Sequence, residues 1–211
     1  MKTDGIIFDV DGTLWDATER IAEAYTVILK QEKIENKVIT AEMLGSVMGL
    51  LNEDIAATLF PELAYEKRMR LIEACCEFEC TYLRKHGGKL FPHVEDILKK
   101  LSAEYPLYIV SNCQDGYIEA MFAVHGLQKY FKDYECSGRT GMPKFENLKS
   151  IVKRNHLQQP VYIGDTKTDQ TSCQKVGIPF VYASFGFGEA DEFAAKVDTF
   201  SELERLFLSE R

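Results

Sequence analysis

The apolar run Gly5-Ile6-Ile7-Phe8 passes without a spacer into Asp9-Val10-Asp11-Gly12-Thr13-Leu14. A run this short and this uniformly apolar reads as a strand covered on both faces. Side chains two apart on a strand share a side, so Asp9 and Asp11 project together near its carboxyl end, where open α/β sheets hold their ligands. Two neighbouring carboxylates repel unless a cation or a shared proton relieves them. An Asx-type turn, in which both acids cap backbone amides, is the simpler alternative for the pair taken alone.

The rest of the chain alternates unevenly. From Asp16 to about His86 the signals are helical only. Ile21, Ala24, Tyr25, Ile28 and Leu29 form one helical face, with Asp16 and Glu19 as a capping pair. Met43, Leu44, Val47, Met48 and Leu51 form a second face after a Thr40 cap, and a longer helix is predicted from about Ala64 to Gly87-Gly88. One stripe of it carries Leu71, Cys75, Phe78 and Tyr82, the next Ile72, Cys76, Cys80 and Leu83. Beyond Pro92, helical segments alternate with strands predicted at 106–110, 134–137, 161–164 and 178–182. The stretch 191–211, with Phe200, Leu203 and Leu206, reads as a closing amphipathic helix. Alternation of this kind predicts α/β architecture: a Rossmann-like, three-layer core with a parallel sheet and an inserted α-helical cap domain. The division is 1–15 with 89–211 as core, and 16–88 as cap.

Composition narrows the partners. A net charge of −8 argues against nucleic acid and anionic membranes. No signal peptide is visible, and no run approaches the roughly 18 apolar residues of a membrane span. The six cysteines show no zinc spacing, so a cytoplasmic, reduced setting is expected, with a monomer as the default.

Three further stretches stand at predicted strand ends. Ser111-Asn112 offers a hydroxyl and backbone amides suited to a phosphate oxygen. Lys144 lies in the loop Thr140-Gly141-Met142-Pro143-Lys144. Gly164-Asp165-Thr166-Lys167-Thr168-Asp169 places Asp165 at the same sheet edge as Asp9, with Asp169 one helical turn on, able to hold Lys144 or a metal-bound water. Each has a plain alternative: a turn, a solvated charge, and a helix N-cap with an acidic first turn.

In this order, and with helices after the first motif, the four stretches resemble the haloacid dehalogenase superfamily, in the branch of phosphoglycolate phosphatase-like and β-phosphoglucomutase-like proteins. The resemblance implies that Asp9 is a nucleophile forming an aspartyl-phosphate and that Asp11 is its acid/base partner. It implies a Mg2+ cofactor held by Asp9, the backbone carbonyl of Asp11, and Asp165, with Asp169 in the same metal set. Ser111, the Asn112 amide, Thr13 and Lys144 would cradle the phosphoryl oxygens. Met48, Gly49 and Leu50 would form a cap loop facing the substrate. The expected activity is hydrolysis of a small phosphorylated metabolite; a phosphosugar mutase and a phospho-Asp signalling module are the alternatives. Retention of Asp11 speaks against dehalogenase chemistry. Two features depart from the pattern: many relatives carry Pro-x-Pro after the Lys, where this chain has Phe145-Glu146-Asn147, and the Lys144–Asp165 interval is short.

Around these motifs, Trp15 is expected to pack, Cys113 to be turn material, and Cys75, Cys76 and Cys80 to fill a helix interface. Arg20, His86, Lys89 and Arg139 are candidate contacts for a second anionic group, each more often a surface charge.

Overall fold

The computed structural model describes residues 1–34 and 36–208. In chain order the elements are β1 (Gly5–Phe8), β2 (Trp15–Asp16), α1 (Thr18–Gln31), α2 (Ala41–Gly45), α3 (Asn52–Leu59), α4 (Tyr65–His86), β3 (Lys89–Leu90), α5 (Val94–Glu104), β4 (Leu107–Ser111), α6 (Tyr117–His125), β5 (Phe131–Cys136), α7 (Ser137–Thr140), α8 (Lys144–Arg154), β6 (Pro160–Gly164), α9 (Lys167–Val176), β7 (Phe180–Ala183), β8 (Ala195–Val197) and α10 (Glu202–Leu208).

Six strands pair in the order β5-β4-β1-β6-β7-β8, all parallel. β1 lies between β4 and β6, with Ile7 opposite Tyr108 on one side and Tyr162 on the other. The period of two divides each strand between two hydrophobic layers. Ile6, Phe8, Leu107, Ile109, Val161 and Ile163 face one layer, shared with α5, α6 and α10. Ile7, Tyr108, Val110 and Tyr162 face the other, which contains Leu148 and Ile151 of α8 and Cys173 of α9. Because both faces of the central strands are covered, β1, β6 and β7 carry no charged residue, whereas the edge strands β5 and β8 include Lys132, Asp133, Glu135 and Lys196. The three-layer α/β architecture is therefore as expected, and it brings the carboxyl ends of β4, β1 and β6 side by side.

Helices α1 to α4 all fall between β2 and β3, which pair antiparallel through Trp15–Leu90 and Asp16–Lys89. The expected α1 stripe is buried, and α1 and α3 both pack on α4. Thr40 caps α2, its hydroxyl accepting from Met43 N at 3.2 Å.

Several local expectations need correction. Asp16 and Glu19 form no capping box: Asp16 Oδ1 accepts from Thr18 N and Thr18 Oγ1, while Glu19 turns outward to Lys89 at 2.7 Å. The second cap face does not continue to Leu51, because the helix ends at Gly45 and the chain turns through Gly49 (φ +81°), leaving Leu51 exposed. In α4, Phe78 and Tyr82 are only half-buried, and Glu79 occupies a fully enclosed position beside Cys75, Cys76, Cys80 and Leu83. The strand predicted at 134–137 begins earlier, at Phe131, and Ser137 opens a short helix instead. The stretch 191–208 is not one helix: β8 adds an edge strand before α10. Only three residues long, β8 carries too little pattern to announce itself. Residues 209–211, to which the helix was expected to run, lie outside the described residues. Lys144 stands at the first position of α8 rather than in a loop, with Pro143 before it at φ −66°.

No helix among the described residues is long and apolar enough to cross a membrane.

Ile163 is fully buried in β6, next to the strand end that carries Asp165. Ile163→Ala is expected to lower stability by roughly 2–5 kcal/mol through lost burial and a residual cavity. The urea midpoint should fall while the slope of the transition is unchanged.

Candidate active site

The turn after β1 is tight: Leu14 N donates to Val10 O at 2.8 Å, and Gly12 has φ +75°. A Cβ on Gly12 would lie 2.1 Å from Asp165 Oδ2, so glycine is required for the turn to press against that carboxylate. Asp165 is completely buried, receiving the Phe187 amide on Oδ2 at 2.8 Å and the Thr13 hydroxyl on Oδ1 at 3.4 Å. The Thr13 amide donates to Val10 O, so both its donors are already engaged within the protein.

Asp9, Asp165 and Asp169 bring one carboxylate oxygen each within 4.8 Å of one another, and all three residues are buried. Lys144, itself 2 % exposed, reaches into this group with Nζ 2.6 Å from Asp169 Oδ1 and 3.0 Å from Asp9 Oδ1. The contact with Asp169 is a hydrogen bond, whereas that with Asp9 is an ion pair out of hydrogen-bond alignment, leaving Asp9 Oδ1 without a donor. Burial works against the Lys144 ammonium, but the Asp169 and Asp9 carboxylates override it and hold the proton on.

Both oxygens of Asp169 are occupied. Oδ1 accepts from Lys144 and from the Tyr162 hydroxyl, and Oδ2 from Asp165 N, Thr166 N and Thr166 Oγ1. With Thr166 it completes a reciprocal cap at the start of α9.

Three carboxylates against one ammonium leave an excess of negative charge in a buried place. The Asp165 carboxyl is accordingly pushed well up, first by burial and then by the charges of Asp169 and Asp9. A donor set of hard carboxylate oxygens with this excess, including an Asp9 oxygen lacking a hydrogen bond, suits a divalent cation such as Mg2+.

Asp11 stands beside this cluster. Its Oδ1 accepts from the Tyr117 hydroxyl at 2.6 Å, and Tyr117 is fixed by the edge of Trp15, their ring centres 5.4 Å apart. Burial raises the Asp11 carboxyl to about 7, against the Tyr117 hydrogen bond, which lowers it. Trp15 therefore packs, as expected. Tyr117 escaped the sequence reading, since a tyrosine opening a helix carries no signal of its own.

Ser111 ends β4 and is buried. The Asn112 side chain is committed twice: its Nδ2 donates to Gly49 O at 2.8 Å, and its Oδ1 accepts from Ser137 Oγ at 2.8 Å. The first of these ties the turn Met48-Gly49-Leu50 to the sheet edge. A narrow cavity of about 40 Å³ lies between the two, lined by Asp9, Asp11, Ser111, Asn112 and Tyr117 below and by Met48, Gly49, Leu50 and Glu79 above. A larger hollow of about 830 Å³ lies at the amino end of β1, beside Met1–Asp4, away from these strand ends.

Glu79 is the second residue the sequence did not single out. It is 3 % exposed, and its Oε1 accepts from Gln114 Nε2 at 2.8 Å. Burial raises its carboxyl to about 8; the Gln114 hydrogen bond opposes this and the Asp11 charge adds to it. Its position in the buried stripe, between Cys75/Cys76 and Leu83, was the available clue. The Cys113 thiol is likewise pushed well up by burial, which keeps it from being a reactive thiolate.

The basic candidates stay outside. Arg20 pairs with Glu23, Lys89 with Glu19 and Arg139 with Asp115 and Glu119, while exposed His86 stacks on Tyr82.

The sequence model of the haloacid dehalogenase-like hydrolase family matches residues 6–183. Phosphoglycolate phosphatase of Escherichia coli strain K12 is 25% identical, covering 88% of this chain and 84% of its own length. That of Shigella boydii is 26% identical over the same shares. Among solved structures, a haloacid dehalogenase-like family hydrolase from Streptococcus pneumoniae superposes with a TM-score of 0.83 at 24% identity, covering 97% of this chain and 98% of the other. The Bacillus subtilis HAD-hydrolase YfnB, in a form bound to magnesium that reveals interdomain movement, gives 0.74 at 19%, covering 98% and 99%. At these identities the structural likeness speaks for the fold.

Glu79 yields a measurement independent of activity. Its carboxyl binds a proton more tightly in the folded chain than in the unfolded one, where 4.5 applies. The folded state then holds more protons between these values, and stability falls as pH rises from about 4.5 to about 8. Glu79→Gln is neutral throughout and escapes this loss. Its stability relative to wild type should improve by roughly 2–4 kcal/mol between pH 5 and pH 8.5, measured by denaturant unfolding in the presence of a chelator. Parallel pH curves for the two proteins would contradict the assignment.

Proposed function

The chain belongs to the haloacid dehalogenase-like hydrolase family and is a phosphatase, and on that premise we propose that it hydrolyses a small phosphomonoester through an aspartyl-phosphate on Asp9. The observation that carries this reading is the placement of a buried Asp9, 3.0 Å from Lys144 Nζ, at the strand end where Asp11 is held by Tyr117.

Asp9, Asp165 and the Asp11 backbone carbonyl would hold Mg2+, with Asp169 acting on its water shell and on Lys144. When bound, the ion neutralises the carboxylates and withdraws charge from the phosphoryl oxygens. Everything else is done by the chain. Asp9 attacks phosphorus, and the bond to the leaving oxygen breaks as Asp11 gives that oxygen its proton. Asp11, now anionic, takes a proton from water as the water attacks the aspartyl-phosphate, which releases phosphate and restores both acids. The Tyr117 hydroxyl fixes one oxygen of Asp11 and leaves the other free to exchange the proton.

Ser111, the Asn112 amide and Lys144 would face the transferring oxygens, as donors set in place before the reaction. Thr13 has a different part from the one its motif suggested. With its hydroxyl on Asp165 and its amide on Val10, it positions a metal ligand rather than touching phosphate. We take 16–88 as a cap domain that shuts over the site, and the Asn112–Gly49 hydrogen bond as its latch.

Release of phosphate from p-nitrophenyl phosphate with MgCl2 tests the reading. Asp9→Asn is expected to lower kcat by roughly 10³-fold or more, and a chelator to abolish turnover until Mg2+ is restored. Asp11→Asn should slow hydrolysis of the intermediate and let a hydroxylamine-sensitive phosphoprotein accumulate. Unchanged turnover in Asp9→Asn would refute the proposal.

A further inference from the structure

Of the buried acids among the described residues that the hydrolytic steps leave unused, Glu79 is the one that faces the same cavity as Asp9 and Asp11. We infer that Glu79 selects substrates by their leaving group: the site takes a small, uncharged, hydroxyl-bearing phosphomonoester and rejects one that carries a carboxylate. The inference rests on the phosphatase reading above and names its substrate class.

The described residues lining the cavity include three acids, Asp9, Asp11 and Glu79, and no lysine, arginine or histidine. Lys144 is not among the lining residues, and its charge is already opposed by Asp9 and Asp169. Arg20, Lys89 and Arg139 are each paired with acids elsewhere on the surface. A leaving group with its own carboxylate would therefore be desolvated beside Glu79 with no counter-charge, and burying an unpaired charge is strongly unfavourable. Phosphoglycolate, the substrate named for the relatives, is such a molecule.

Hydrogen bonding points the same way. Gln114 Nε2 donates to Oε1 of Glu79 and sets the carboxyl's orientation, so the group is a placed acceptor rather than a mobile one. A hydroxyl of the substrate supplies the matching donor. The surrounding cap wall is mostly apolar, with Ile21, Leu44, Val47, Leu50 and Ile55 beside the uncharged polar side chains of Tyr25 and Asn52, which suits a short carbon chain between the phosphate and that hydroxyl. A site built around a hydrogen bond to a substrate hydroxyl discriminates well against an analogue that cannot make it.

The test compares kcat/KM for glycerol 1-phosphate and 2-phosphoglycolate in wild type and Glu79→Gln at pH 9, above the value of about 8 to which burial raises the Glu79 carboxyl, so that it carries its charge; p-nitrophenyl phosphate is the reference. The wild type should favour the polyol ester at least tenfold. Glu79→Gln should move the ratio of the two by tenfold or more toward phosphoglycolate, chiefly through a lower KM for phosphoglycolate. A wild type that prefers phosphoglycolate, or a ratio unmoved in Glu79→Gln, overturns the inference while leaving the phosphatase reading intact. Should Glu79→Gln fail to fold, the wild-type ranking alone decides. Absence of Asp9-dependent release of phosphate from all three compounds overturns the phosphatase reading, and this inference with it.

Discussion

Lys144 is a fully enclosed ammonium facing the carboxylates of Asp9 and Asp169, with a third, that of Asp165, close by. Removing the Lys144 ammonium would leave the carboxylates buried and uncompensated, a far larger effect than a surface ion pair has. Much of the surrounding structure serves this balance. Asp169 receives donors on both oxygens, including the Asp165 and Thr166 amides before α9, which fix its carboxyl opposite Lys144. Tyr162, from the middle of β6, bridges the layer beneath, its one hydroxyl proton shared between Val110 O of β4 at 2.8 Å and Asp169 Oδ1 at 3.1 Å. Parallel pairing of β1 with β4 and β6 then delivers Ser111, Asp9 and Asp165 to one edge.

A second constraint comes from the helices between β2 and β3. The chain leaves the sheet at Trp15-Asp16 and returns at Lys89-Leu90 through a two-residue antiparallel pair, and α4 also packs on α6 of the core. The far end of the helical segment is fastened at Asn112 and Gly49. The cavity beneath that fastening measures about 40 Å³, so the Asn112–Gly49 hydrogen bond stands over the strand ends that carry Asp9 and Ser111. Asp9 and Asp11 are buried beneath it, which strengthens every charge interaction there.

Much of this was legible in the amino acids because the signals are local. Asp9, Asp11, Ser111 and Asp165 follow apolar runs directly, and the position of a strand end requires only the run itself. Lys144 was found by motif, but its burial was not, since nothing in Met142-Pro143-Lys144 tells a loop from a first helical turn packed over two acids. Thr13 illustrates the limit of a motif: the residue is where it was expected, yet its hydroxyl is directed at Asp165. Tyr117 and Glu79 were missed because their roles arise from contacts far apart in the chain, with Asp11 and with Gln114. Among helix stripes an acid is ordinarily read as the exposed face, and only the packing of α4 against α1, α3 and α6 reveals that Glu79 points inward. β8 was missed for lack of length rather than for lack of contacts.

The central claim is that the three carboxylates around Lys144 form a site short of positive charge, completed by a divalent cation. Thermal unfolding of wild type and Asp165→Asn, each with a chelator and with saturating MgCl2, tests it most directly. Without the ion, Asp165→Asn should unfold at a temperature equal to or above that of wild type, because a repelling charge has been removed. With MgCl2, wild type should gain several degrees and the variant little or nothing. A variant that is less stable in chelator yet gains as much from MgCl2 as wild type would contradict the account.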